Sequence, residues 1–391
     1  MALLNLNVLL TLLLGVDRTQ KHLNFTELTQ LSGYKSEEHT VVTEDGYVLN
    51  MFRITRGAKC VEEIKQTPVF FMPPLLSAAD TALEPGPDAA MPYLISDACY
   101  DIWIGNPRGT YYGRRHMRLD PDKNKEFWQF SIDEIGTYDV PAMVDYVLNN
   151  TRKEKLMYVG FSQGGGTFFV MCSERPDMCQ KIKLMIGLAP ATRLRNTKSV
   201  LLRTLCKNVE DNLDVFDSMQ IWEVFGRDQF TAAVNGLLCR NNVKMCEWFV
   251  SLLDSSHPGS VANSTYTTML ERFPAGTSIR NLVHFSQSLR SKKFLKFNYG
   301  TVKNVKVYGR PDPPEYNLTA ADLPILLITG RNDALVDVKD VKWLARKLPK
   351  LKELLIVEDP KWNHVDMFYS EFIKDMIFPK ILYYLLRYNE N

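Results

Sequence analysis

From residue 67 onward one pattern recurs along the chain: a short continuous apolar run, then a longer mixed segment. The runs are "TPVFFM" at 67–72, "YDIWIGN" at 100–106, "KLMYVG" at 155–160, "KLMIGLAP" at 183–190, "PILLITG" at 324–330 and "ELLIVED" at 353–359. Continuous rather than alternating apolar runs of this length suit strands buried on both faces. Several of the segments between them read as helices, for example "DEIGTYDVPAMVDYVLNN" at 133–150 and "VKDVKWLARKL" at 338–348. Strands alternating with helices predict an α/β fold, a doubly wound, mostly parallel sheet covered on both sides. Between about Arg193 and Tyr308 the strand rhythm stops, and stretches such as "MQIWEVFGRDQF" and "CEWFVSLLDSS" are helical and aromatic. This predicts an inserted helical cap over 193–308, dividing the α/β core into 67–192 and 309–391.

Composition narrows the reading. With 391 residues, 45% of them hydrophobic, the chain can bury a large core, and its length suits two or three units, or one large α/β domain that carries insertions. Lys+Arg 47 against Asp+Glu 45 gives a net charge of +2 and no electrostatic reason to expect nucleic acid. The basic, aromatic run at 290–310 reads as a solvated face, and the charge-rich "NPRGTYYGRRH" at 106–116 as a structural loop. The first 16 residues are mostly apolar, which reads as a signal peptide; a transmembrane anchor needs about 20 and is not expected. Sequons at Asn24, Asn149, Asn263 and Asn317 add to the case for a secreted glycoprotein. The seven cysteines are odd in number, so at least one is free within a single chain; Cys239 and Cys246, close together in a polar stretch, are the pair expected to bridge. None sits in a CxxC or similar ligand spacing, so no metal or other cofactor is expected.

The chemistry is concentrated in "LMYVGFSQGGGTFFV" at 156–170. Gly160-Phe161-Ser162-Gln163-Gly164 falls between a strand and a helix, where a serine on a sharp turn crowds the residues two places away and glycine relieves the crowding. A serine hydroxyl becomes a nucleophile only with a base to take its proton and a carboxylate to orient that base. Three histidines follow Ser162; His257 and His284 lie in the cap, so His364, just past the last strand, is the candidate base. Asp333, directly after the preceding strand, is the candidate acid, with Asp337 as the alternative, though Asp337 is better placed to cap the following helix. Backbone N–H groups must also hold the oxyanion, one of them from the residue after the nucleophile, Gln163.

Taken together, "TEDGYVLNMFRI" at 43–54, "YDIWIGNPRGTYYGRRH" at 100–116, "FWQFSIDEIGTYDVPAMVDYVL" at 127–148, "GFSQGG" at 160–165, "PPEYNLTAADLPILLITGRNDALVDVKDV" at 313–341 and "NHVDM" at 363–367 resemble the acid lipase family of α/β-hydrolases. That family includes gastric and lysosomal acid lipases and insect lipase 3-like paralogues. The resemblance runs from about Asn24 to the C-terminus, so 24–66 is expected to be the lipase-associated N-terminal segment. It implies an α/β-hydrolase fold with a lid, a triad at Ser162, Asp333 and His364, lipid ester substrates such as acylglycerols or sterol esters, and contact with a lipid–water interface through the cap. It also implies a secreted or lysosomal location. One departure bears on activity: the family's oxyanion loop reads His-Gly-Leu-Leu, whereas here Pro73-Pro74 precede Leu75-Leu76 and the loop is one residue shorter. By alignment the second donor is the N–H of Leu75, but proline excludes any geometry that relied on glycine. The competing expectation is therefore a catalytically weak or inactive lipid-binding or storage protein on the same fold.

Overall fold

Each of the six apolar runs forms a strand, and the six lie parallel in one sheet. The computed structural model describes residues 23–227 and 242–389; the apolar stretch 1–16 and Cys239 lie outside them. In chain order the sheet strands are β1 (Ser36–Val42), β2 (Val48–Ile54), β3 (Val69–Met72), β4 (Ile102–Ile104), β5 (Leu156–Phe161), β6 (Ile182–Leu188), β9 (Ile325–Thr329) and β10 (Leu351–Ile356). A separate antiparallel ribbon pairs β7 (Glu223–Val224) with β8 (Thr277–Ser278). Laterally the eight strands run β1-β2-β4-β3-β5-β6-β9-β10, with β1 and β2 forming an antiparallel hairpin at one edge.

Burial explains which strands the apolar pattern reveals. Strands β3, β4, β5 and β9 are buried along their whole length, which is why their sequences are uninterruptedly apolar. At the far edge, β10 is only partly buried, so the expectation of burial on both faces does not hold there. The β1–β2 hairpin was not anticipated from the pattern, because β1 ("SEEHTVV") is an edge strand with a largely solvated surface.

Sheet topology sets the position of the site. From β3 the chain departs towards β4, and from β5 it departs the other way towards β6, although β3 and β5 are neighbours. Loops that leave adjacent strands in opposite directions open a crevice at the strand ends, where α/β proteins bind ligands. The segment between β6 and β9 crosses this crevice as a series of helices that includes Val200–Asp211, Val243–Leu253, Asn263–Arg272 and Ile279–Arg290. A small core of its own, with Val209, Phe216, Leu282 and Phe297, supports part of it, while Cys206, Cys246 and Tyr266 join the main core. Buried ion pairs peg it to the sheet domain: Arg227 to Asp80 at 2.7 Å and Arg272 to Glu84 at 2.6 Å. The charge-rich loop after β4 is anchored in the same way, with Arg108 held by Asp139 and Asp45, and Arg114 by Asp122 and Glu223. Among the described residues the disulfides Cys60–Cys99 and Cys172–Cys179 tie the core, and Cys206 is free and buried. No helix among the described residues is long and apolar enough to cross a membrane.

Candidate active site

Ser162 follows β5 and immediately precedes the helix Gln163–Glu174 with φ 51° and ψ −117°, a conformation that costs an ordinary residue energy. Its surroundings hold it there: its N–H donates to the Leu188 carbonyl at 2.9 Å, and its own carbonyl accepts from Ala191 at 2.9 Å and Gly166 at 3.0 Å. The flanking glycines are required by contact. A Cβ on Gly160 would lie 2.6 Å from the Gly164 carbonyl oxygen, and one on Gly164 would lie 2.2 Å from that of Met72. The second contact brings the first turn of the helix directly against the loop that follows β3.

The loops that carry the candidate acid and the candidate base leave β9 and β10, which are neighbours in the sheet. Gly330 allows their close approach, since a Cβ there would lie 2.1 Å from the Trp362 carbonyl oxygen, and Asn332 N–H donates to that same carbonyl at 3.1 Å. Asp333 is fully buried. Its Oδ1 accepts from the N–H groups of Leu335 at 2.9 Å and Val336 at 2.6 Å, and its Oδ2 meets His364 Nδ1 at 2.7 Å. Burial alone would depress the imidazole's pKa; the charge and hydrogen bond of Asp333, together with the charge of Asp254, outweigh it and hold the pKa above its usual value. The Phe161 ring packs against His364 in a tilted arrangement, 4.8 Å between centroids and 34° between planes.

Ser162 and His364 face one cavity of about 130 Å³, which the segment between β6 and β9 lines with apolar side chains including Leu202, Leu253 and Leu282. Leu75 lines it as well. Gln163 is the first residue of its helix, so its N–H has no acceptor within the helix, and the Leu75 N–H makes no hydrogen bond among the described residues. Pro74–Ser77 forms a turn closed by a 3.2 Å bond from Ser77 N–H to the Pro74 carbonyl. The positive φ in this loop, 62°, falls on Leu76, whose carbonyl accepts from Ala275 at 2.6 Å. The Gln163 side chain is held by Asn281 of the insertion at 2.8 Å.

The other candidates lie elsewhere. Asp337 caps the helix Val338–Ala345 through the Lys339 N–H at 2.8 Å. His257 bonds Asp366 at 2.7 Å, and His284 bonds Ser131 and the Leu295 carbonyl. Among the sequons, Asn149, Asn263 and Asn317 are exposed, while Asn24 forms a capping box with Glu27. Of the expected Cys239–Cys246 bridge, only Cys246 lies within the described residues. Sequence reasoning missed Asp254, a buried carboxylate in contact with both the Asp333 and His364 loops. Nothing local marks it, because its partners are distant in sequence.

Strand order and the strained serine turn define the class as an α/β-hydrolase fold. Residues 85–370 match the family model for the alpha/beta hydrolase fold, and residues 25–81 match that for a partial alpha/beta-hydrolase lipase region. Gastric triacylglycerol lipase from Bos taurus is 33% identical over 89% of this chain and 87% of its own length. Lipase 3 from Drosophila melanogaster is 34% identical over 90% and 89%. A soluble variant of monoglyceride lipase from Saccharomyces cerevisiae, at 13% identity, superposes with a TM-score of 0.52 over 91% of this chain and 98% of that one, which shows the common fold. The chain belongs to the acid lipase family of α/β-hydrolases.

Proposed function

We propose that the chain is a secreted serine ester hydrolase acting on lipid esters such as acylglycerols or sterol esters. The observation that carries this reading is the 2.7 Å bond between His364 Nδ1 and the buried Asp333 carboxylate, beside a cavity that Ser162 also faces. A carboxylate accepts only, so Nδ1 carries the proton and Nε2 is left as the basic nitrogen. In the proposed reaction Nε2 takes the Ser162 proton as Oγ attacks the acyl carbonyl. The N–H groups of Gln163 and Leu75 receive the oxyanion, and the imidazolium returns its proton to the leaving alcohol. Water then hydrolyses the acyl-enzyme by the same route in reverse.

The apolar lining supports a lipid acyl group as the part that is bound, and the lipase names of the relatives agree with it. The insertion over 193–308 acts in this proposal as a lid. Its helix Val243–Leu253 exposes Met245, Trp248 and Leu252, spaced to share one face, and this face is the proposed contact with a lipid–water interface. The disulfides Cys60–Cys99 and Cys172–Cys179 suit an oxidising, extracellular or lysosomal compartment, and Asn149, Asn263 and Asn317 are the exposed sequons open to glycans.

The test pairs fluorophosphonate labelling with fatty-acid release from short- and long-chain esters, each with Ser162→Ala as control. Labelling and turnover that both vanish in the variant are expected. Folded wild-type protein that binds fatty acid but shows neither would overturn the proposal and leave a lipid-binding protein in its place.

A further inference from the structure

Asp254 follows the helix Val243–Leu253 and is buried, with 4% of its surface exposed. Its Oδ1 accepts from the N–H of Ala334 at 2.9 Å and of Ser255 at 2.8 Å; its Oδ2 accepts from the N–H of His364 at 2.7 Å and of Val365 at 2.9 Å. One carboxylate therefore spans the residue after Asp333 and the residue that carries the imidazole. The segment behind it strengthens the grip: the Ser255 carbonyl accepts from Asn363 Nδ2 at 2.6 Å, and His257 bonds Asp366 at 2.7 Å. Among the described residues no Lys or Arg pairs with Asp254. Ending a helix does not require such a residue, whereas joining two loops requires two acceptor oxygens, and an asparagine has only one.

We propose that Asp254 is a positioning residue of the ester hydrolase: its two oxygens fix the separation of the Asp333 and His364 loops and so tie the inserted region to the alignment of the imidazole. The inference rests on the functional reading above. The titratable groups facing it are Asp333 from the loop after β9 and His364 from the loop after β10; on its own segment, His257 is paired with Asp366 and Asp359. Burial, and secondarily the like charge of Asp333, raise the Asp254 carboxyl to about 6, while its own charge helps keep a proton on His364.

Asp254→Asn and Asp254→Glu, made in the full chain, separate charge from geometry. In each, kcat and KM for a soluble short-chain ester are measured against pH, and the His364 imidazole is titrated by histidine-selective NMR, assigned with His364→Gln. Asp254→Asn is expected to lower kcat about 10- to 100-fold with little change in KM, because small misplacements of reacting groups cost rates of this order. It is also expected to lower the His364 pKa by about one unit, the effect of removing a nearby opposite charge. A purely structural role would reduce folded protein or kcat without moving that titration. Asp254→Glu keeps the charge while displacing the oxygens, so kcat should fall while the His364 titration stays in place; it decides the matter if Asp254→Asn does not fold. Wild-type kcat in either variant, or an unmoved His364 titration in Asp254→Asn, overturns the proposal. If the wild type turns over no ester yet Asp254→Asn still moves the titration, the positioning stands and the hydrolase reading fails.

Discussion

Replacing Gly164 with alanine tests whether contact between the serine turn and the loop after β3 sets the proposed oxyanion site. The added Cβ would stand 2.2 Å from the Met72 carbonyl oxygen and 2.7 Å from that of Pro73, both backbone atoms that cannot rotate away. Cβ contacts below 3.0 Å do not occur, so the helix start and the loop must separate by at least 0.8 Å (3.0 − 2.2). Gln163 N–H rides on the first and Leu75 N–H on the second. If both lie about 2.9 Å from the oxyanion before the change, one is left near 3.7 Å after it, which is outside hydrogen-bond range. Losing one such donor costs about 10²–10³ in kcat, or roughly 2.7–4 kcal/mol of transition-state stabilisation. Overpacking of this kind costs about 1–3 kcal/mol of stability, which a domain with a stability of roughly 5–15 kcal/mol survives.

The assay is kcat and KM on a soluble short-chain ester, with thermal unfolding alongside. The expected result is a folded variant, KM within a few-fold of wild type and kcat down by the stated factor. A folded Gly164→Ala protein with wild-type kcat would refute the argument, because the clash would then have been relieved without separating the two N–H groups.

Other consequences follow from charge and covalent ties. Since His364, as the proposed base, must be neutral to accept a proton and its pKa is raised, kcat/KM for an uncharged ester should fall as pH drops through a value above the ordinary imidazole pKa of about 6.5; an acid limb well below that contradicts the site electrostatics. A carboxyl raised to about 6 in the folded protein, from about 3.9 unfolded, binds its proton more tightly when folded, so its contribution to stability grows as pH falls through 6 towards 4. Thermal melts at pH 8 and pH 5 should therefore show wild type gaining on Asp254→Asn as pH falls, and the opposite slope refutes the assignment. The chain separations of Cys60–Cys99 and Cys172–Cys179, 39 and 7 residues, predict losses of about 4 kcal/mol for removing the first and about 2.5 kcal/mol for the second, measured by denaturant unfolding. The reverse order would show that loop entropy is not the controlling term. Arg227→Met leaves Asp80 buried without its partner and should cost about 3–5 kcal/mol; adding Asp80→Asn should recover part of it in the same unfolding assay, and no recovery would place the loss in packing.

What the amino-acid pattern reveals and what it hides follow from where each group finds its partner. The central parallel strands are visible because burial on both faces demands unbroken apolar runs, whereas β1 exposes one face and blends into its polar surroundings. Its one local signal is the Asp45-Gly46 pair at the hairpin turn, which lies inside the lipase-like motif at 43–54. Ser162, Asp333 and His364 can be named because each sits at the end of a recognisable strand. Asp254 cannot, since the partners through which it joins the two loops are backbone N–H groups 80 to 111 residues away that any sequence would supply. The cysteines make the same point: Cys172–Cys179 has the seven-residue separation of Cys239 and Cys246, but Cys172 lies in an apolar helix and reads as core. The Pro73-Pro74 substitution shows how far such reasoning reaches. Proline rules out a positive φ at 74, and the structure places that conformation at Leu76. The orientation of the Leu75 N–H then depends on the Gly164 contact on one side and the bond from Ala275 to Leu76 on the other. Both restraints come from residues distant in sequence, so losing the family's His-Gly pair does not by itself remove the proposed donor, and the rate of Gly164→Ala is the quantity that depends on it.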